Sequence, residues 1–195
     1  MSSAAPVSGT VSAILVTGAP AEDSGTTCPV CLVPGEVLMS DSSAQFRPIE
    51  SLLAQTATEL GVRSVLVMRS TSTHMAVEAT AGAAEVHYTV GAEGKKGSAF
   101  PEAHELYCER VVDNDTELFV RDSRTDPDFA GNEDEVEFGL VNYLGLAVHN
   151  PDGSVYGTVC VLDDQVRDYT SEERARLEEL RAAAEHALAT RPAAL

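Results

Sequence analysis

Residues suited to burial recur at three- and four-residue intervals through Phe46, Ile49, Leu52, Leu53, Thr56, Ala57 and Leu60, which predicts one helical face over 46–61. Pro48 falls in the first turn, where its missing N–H does no harm, and Gly61 supplies a stop. The period then shortens. Two β-branched runs, 62–69 and 75–80, flank Ser70-Thr-Ser-Thr73 and predict a hairpin. A Gly-rich link over 81–98 leads to Ser98, expected to cap a short helix with Pro101 in its first turn. His104, Tyr107, Cys108, Val111 and Val112 would share one face of that helix. Asn114-Asp115 turns the chain into a strand at 117–120. The polar segment 122–137 contains Asp126-Pro-Asp-Phe129 and Gly131-Asn132, which forbid one long helix but allow short ones. Runs 142–149 and 154–162, joined by Asn150-Pro-Asp-Gly153, predict a second hairpin. Thr170-Ser-Glu-Glu173 is a capping box that opens a helix with Leu177, Leu180, Ala184, Ala187 and Leu188 on one side.

This order predicts an α+β layer fold, an antiparallel sheet with helices on both sides. Residues 1–42 are expected to form an N-terminal extension. It would have a flexible start, a short strand at 11–16 and a loop over 18–35 that carries Cys28-Pro-Val-Cys31. The domain is expected over 43–189, with a flexible tail at 190–195. The chain has no internal repeat.

Composition narrows the function. At 195 residues, 44% hydrophobic and 23% charged, the chain suits one domain with a real core. Thirty-one acidic residues against 13 basic ones leave a formal charge of −18. Such a surface repels phosphate backbones and anionic lipid, so neither nucleic acid nor membrane is an expected partner. No apolar run approaches the roughly 18 residues of a membrane span. The apolar stretch at 11–16 lacks a basic start, so no secretory signal is expected. Four cysteines without a disulfide-like framework fit a reducing, cytoplasmic setting.

Several side chains could carry chemistry. Cys28 and Cys31 have the shape of a redox dithiol or half a zinc site, or form a plain loop; zinc would need two further ligands. His104 and Cys108, four apart on the predicted helix, could reach one metal with Cys160 as a third ligand. The competing reading is small buried thiols and a solvent-edge histidine. Tyr107, Phe129, Phe138 and Tyr143 are four of only ten aromatic residues, all in the half that would cover the sheet. Together with the polar candidates Asp122, Asn142 and Asp163 they outline an apolar, aromatic ligand pocket, although core packing explains any one of them. Lys95 and Lys96, the only lysines, sit between glycines and either attract an anion or form a solvated loop.

From Leu106 to about Leu188 the chain resembles a GAF domain, a small-molecule sensor module of bacterial and archaeal signalling proteins. The residues that carry the resemblance are Tyr107-Cys108-Glu-Arg-Val, Leu118-Phe-Val-Arg-Asp122 and Asp126-Pro-Asp-Phe129. It continues in Gly139-Leu-Val-Asn-Tyr-Leu-Gly-Leu146, Pro151-Asp-Gly153, Gly157-Thr-Val-Cys-Val-Leu-Asp163 and the terminal Ser171-Glu-Glu helix. The family's first helix and strands fall at 46–61 and 62–80. The subgroup appended to sensor histidine kinases is the most similar. The Asn-Lys-Phe-Asp-Glu set of cyclic-nucleotide binders is missing. Bilin binders commonly follow their cysteine with His, whereas Glu109 follows Cys108. Free methionine-(R)-sulfoxide reductases share the fold and use pocket cysteines. Cys108 falls near one of their positions, but no partner stands in the 122–142 segment, so Cys160 or the Cys28/Cys31 pair would have to substitute.

The resemblance implies a sensor that binds an unidentified small molecule through Tyr107, Cys108, Asp122, Phe129, Phe138, Asn142, Tyr143 and Asp163. Its terminal helices would report occupancy to a histidine kinase or other signalling partner, and no cofactor is assigned. The stripes on 46–61 and 171–189 suggest a homodimer, or else packing on the chain's own sheet. The alternatives are a thiol reductase using Cys108 with Cys160, and a ligand-free interaction domain with a filled core.

Overall fold

The computed structural model describes residues 44–190. The expected strand at 11–16, the Cys28/Cys31 pair and the tail at 191–195 lie outside the described residues.

A 3₁₀ turn, Arg47–Ile49, carries Pro48 and leads into α1, Glu50–Leu60. Gly61 ends that helix at φ 63°, a left-handed conformation that costs glycine little, and its N–H bonds to the Ala57 carbonyl. The first hairpin is β1, Ser64–Ser70, with β2, His74–Ala81. The second is β5, Asn142–His149, with β6, Val155–Asp163. Gly153 takes φ 84° in the connecting turn. Two short strands complete the sheet: β3, Glu93–Lys95, inside the link predicted to be loop, and β4, Leu118–Val120. The order is β3-β2-β1-β6-β5-β4, and each neighbouring pair is antiparallel.

Three more helices cover the sheet: α2, Tyr107–Asn114; α3, Glu133–Phe138; and α4, Ser171–Ala189. The α4 capping box forms as the sequence predicts, Thr170 accepting the Glu173 N–H while Glu173 accepts the Thr170 N–H. The central strands β1 and β6 are buried on both faces, which is why they read as near-continuous apolar runs. Alternate residues divide between two cores. Val65, Val67, Val159 and Val161 pack with Leu53, Leu177 and Leu180 of α1 and α4. Leu66, Met68, Cys160 and Leu162 face Tyr107, Cys108 and Val111 of α2 on the other side.

Two expectations change. The helix expected from Ser98 begins instead at Tyr107, and residues before it run as turns. The cause is Glu109, which accepts N–H groups from Gly97 and Ser98 at 2.9 Å each and from Leu106 at 3.3 Å. It ties the preceding loop down beside the first turn. His104 therefore lies outside α2, and the four-residue spacing to Cys108 does not place the two on one helical face. Second, the Leu177, Leu180, Ala184, Ala187 and Leu188 stripe of α4 is spent on the chain's own core. At the end of β5, the His149 imidazole reaches Glu185 of α4 with Nδ1 at 3.1 Å and Asp115, just past α2, with Nε2 at 2.8 Å. No described helix is long and apolar enough to cross a membrane.

Candidate functional site

The core on the α2 side of the sheet is not completely filled. A cavity of about 180 Å³ lies between the sheet and its cover of α2, α3 and the 82–92 segment. Leu66 and Met68 of β1, Met75 and Val77 of β2, and Tyr143 of β5 form its apolar floor. Tyr107 and Cys108 of α2 form one wall, and His87, Tyr88, Asp134 and Phe138 form the lip.

The aromatic rings brace one another. Tyr107 stacks on Tyr143 with centroids 4.7 Å apart, and Phe129 supports Tyr107 from behind at 4.8 Å. Asn132 Nδ2 donates to the Tyr107 hydroxyl at 2.7 Å, which fixes the ring from the α3 side. Burial raises Tyr107 to about 12 and Tyr143 well above its ordinary value, so both phenols stay neutral. At the lip, Phe138 stacks on His87 at 4.6 Å and meets Tyr88 edge-on at 5.5 Å.

Two polar features face or adjoin the cavity. The first is Asp134, whose Oδ1 accepts a hydrogen bond from the Tyr88 hydroxyl. Burial, with the negative charges of Glu133 and Glu137, raises this carboxyl to about 6 against the lowering effect of Tyr88. The second is a pair of thiols. Cys108 Sγ lies 3.7 Å from Cys160 Sγ and 3.4 Å from the Tyr143 hydroxyl. The Cys160 hydrogen bond lowers Cys108 against the cost of burial, with help from Thr158 and Tyr143. Burial pushes Cys160 far up, so one proton is held firmly and the other is the labile one.

Of the side chains singled out in the sequence, the structure brings Tyr107, Cys108, Phe138 and Tyr143 together at the cavity. Cys160 is buried behind Cys108, and Phe129 behind Tyr107. Three polar candidates stand elsewhere and are engaged. Asp122 caps the 3₁₀ turn Ser123–Thr125 and pairs with Arg124. Asn142 Nδ2 donates to the carbonyls of Val120, Arg121 and Arg167, and its Oδ1 accepts from the Tyr169 hydroxyl. Asp163 accepts from Arg167 and from the Gln165 N–H. Asn142 joins separate segments of backbone, while Asp122 and Asp163 hold their own local turns. Among the described residues, no group of three or more His, Cys, Asp or Glu could hold a metal. Lys95 lies over the Phe100 ring, and Lys96 is buried with Nζ donating to the Ser70 hydroxyl at 2.8 Å. Asp134, Tyr88, Met68 and Met75 were not singled out beforehand. Asp134 is one of several acids in a polar run, and its partner Tyr88 is 46 residues away in the chain.

Known proteins give a consistent picture of the fold. The GAF domain family pattern matches residues 49–188. None of the curated proteins matches the chain. Among solved structures, the GAF domain of an Acinetobacter phosphoenolpyruvate-protein phosphotransferase is 16% identical, with a TM-score of 0.57 over 74% of this chain and 82% of its own. A type II free methionine-R-sulfoxide reductase from Thermoplasma acidophilum is 12% identical, with a TM-score of 0.57 over 75% and 94%. The PixJ GAF domain of Thermosynechococcus elongatus in its blue-light absorbing form is 15% identical, with a TM-score of 0.56 over 78% and 89%. At these identities the likeness is one of fold. The family pattern covers well over half of the chain, and the chain belongs to the GAF domain family.

Proposed function

We propose that this GAF domain binds a small molecule in the cavity between sheet and cover and reports occupancy through its terminal helices to a partner. The observation that carries this reading is the cavity itself. Interiors close-pack, and a space of about 180 Å³ framed by braced aromatic rings is unlike a packing defect. The similar PixJ domain is a light-absorbing form of a receptor and the similar Thermoplasma protein a reductase, so this fold hosts small-molecule chemistry elsewhere. Ligand binding would order α2 and α3, and a second copy of the chain or a signalling protein such as a histidine kinase would read the change. Native mass spectrometry of protein purified from its own host tests this. The expected result is an added mass that disappears on denaturation. A bare mass, together with a crystal map in which side chains fill the cavity, overturns it in favour of a ligand-free interaction domain.

A second reading rests on the 3.7 Å approach of the two thiols. In it, Cys108 attacks the sulfur of a small sulfoxide, the oxygen leaves as water after taking two protons, and Cys160 closes a disulfide. The two thiols supply two electrons, and an external dithiol restores them. Cys108→Ser should then abolish sulfoxide turnover driven by dithiothreitol. A Cys108→Ser/Cys160→Ser protein that still binds its ligand and shows wild-type signalling would overturn the reductase and leave the sensor.

A further inference from the structure

We infer that the ligand of this cavity is a compact organic cation, an alkyl- or arylammonium, held by the Asp134 carboxylate over the aromatic rings. The inference rests on the sensing reading above and specifies its ligand class. Carboxylates at a surface would mean little alone; here they border a largely apolar cavity. Glu93, Glu133, Asp134 and Glu137 all border it, while no lysine or arginine does, and His87 is the one residue there that could become cationic. An anionic ligand would meet uncompensated repulsion on entry.

Asp134 is the group best placed to receive a positive charge. Its Oδ1 is occupied by the Tyr88 hydroxyl, and its Oδ2 takes no hydrogen bond from any described residue. A carboxylate raised to about 6 by burial and by like charges is still mostly ionised at neutral pH, and a nearby cation would relieve that cost. Tyr88, Tyr107, Phe138 and Tyr143 line the same space. An ammonium that meets the face of such a ring is favoured over a neutral group of equal size.

Volume sets the size. An apolar cavity of roughly 150 Å³ accepts benzene, so about 180 Å³ suits a molecule only slightly larger. A linear tetrapyrrole is far too big for this space.

A matched trio of probes tests the class: benzylammonium, benzyl alcohol and benzoate, each titrated calorimetrically into the full chain at neutral pH. Benzylammonium should bind at least about tenfold more tightly than benzyl alcohol, and benzoate should not bind detectably. Asp134→Asn should erase that preference while leaving the alcohol's affinity within about threefold. If Asp134→Asn fails to fold, Glu137→Gln, at an exposed position on the lip, should weaken the cation selectively by about two- to threefold. Benzoate or the alcohol binding as well as the ammonium overturns the cation assignment and leaves the sensing reading standing. Failure of all three to bind, with a bare native mass from the host, overturns both.

Discussion

Gly145 lies directly beneath the Tyr143 hydroxyl, two residues away on the same face of β5. A Cβ built at Gly145 would overlap that oxygen and fall 2.8 Å from the ring's Cε1. The glycine allows the ring to lie flat along the strand, where it stacks on Tyr107 and reaches the Cys108 sulfur. Gly145→Ala should therefore cost about 1–3 kcal/mol in urea denaturation, as an overpacked core does. Combined with Tyr143→Ala, the total cost should fall short of the sum of the two single costs, because the overlap is gone. Simple additivity would show that the ring does not depend on Gly145.

Glu109 is buried yet ionised. Burial raises its pKa, but hydrogen bonds from the Ser98 hydroxyl and the N–H groups of Ser98, Leu106 and Gly97 outweigh this and leave it below 4.5. Stability from this group is therefore present above the ordinary carboxyl value and is lost as pH falls through the folded one. Glu109→Gln should cost about 2 kcal/mol at neutral pH. The wild-type advantage should shrink in denaturation curves taken at progressively lower pH. An advantage unchanged down to pH 3 would contradict the assignment.

Asn142 separates structure from site. Asn142→Ala leaves the Tyr169 hydroxyl and three carbonyls without their partner, at an expected cost of about 2–3 kcal/mol. Its affinity for a cavity ligand should match that of the wild type when measured well below the lowered melting temperature. A selective loss of affinity at unchanged stability would place Asn142 in the binding site after all.

His149 has the opposite sign to Glu109. The Glu185 carboxylate raises its pKa above 6.5 against a small burial cost, and Asp115 adds to the effect. Arg181 lies 4.0 Å from Glu185 in the same cluster. The contribution is therefore complete below the ordinary imidazole value and disappears as pH rises through the raised one. His149→Gln should remove this slope, and stability curves for the two proteins should converge on the alkaline side. NMR titration of the imidazole reads the same shift directly; a value at or below 6.5 would contradict it.

Much of this architecture is legible in short stretches of sequence. The α4 capping box, the Gly61 stop and the Asn150-Pro-Asp-Gly153 turn are decided within a few residues, and both hairpins follow from local β-branched runs. What the sequence misses is settled at long range. Ser98 looks like a helix cap, but the start of α2 depends on a carboxylate eleven residues later that binds the Ser98 N–H. Asn142 and Asp163 are polar residues on apolar strands, which suggests ligand contacts. Asn142 instead binds backbone carbonyls of crossing segments, and Asp163 pairs with Arg167 four residues on. Of the four aromatic and thiol positions at the cavity, Tyr107, Cys108 and Tyr143 are visible because the GAF motifs contain them, and Phe138 because aromatic residues are few. Asp134 is invisible because only folding brings Tyr88 to it.

The cavity lies on one side of the sheet, so the two halves should respond differently to hydrostatic pressure. Pressure acts on internal void, and the cavity described above lies under α2 and α3. Compression should loosen that cover before it unseats α1 and α4. A molecule occupying the cavity removes the compressible space and with it the weak half. Occupancy then amounts to a change in which parts of the protein can yield, transmitted without any large displacement of the backbone.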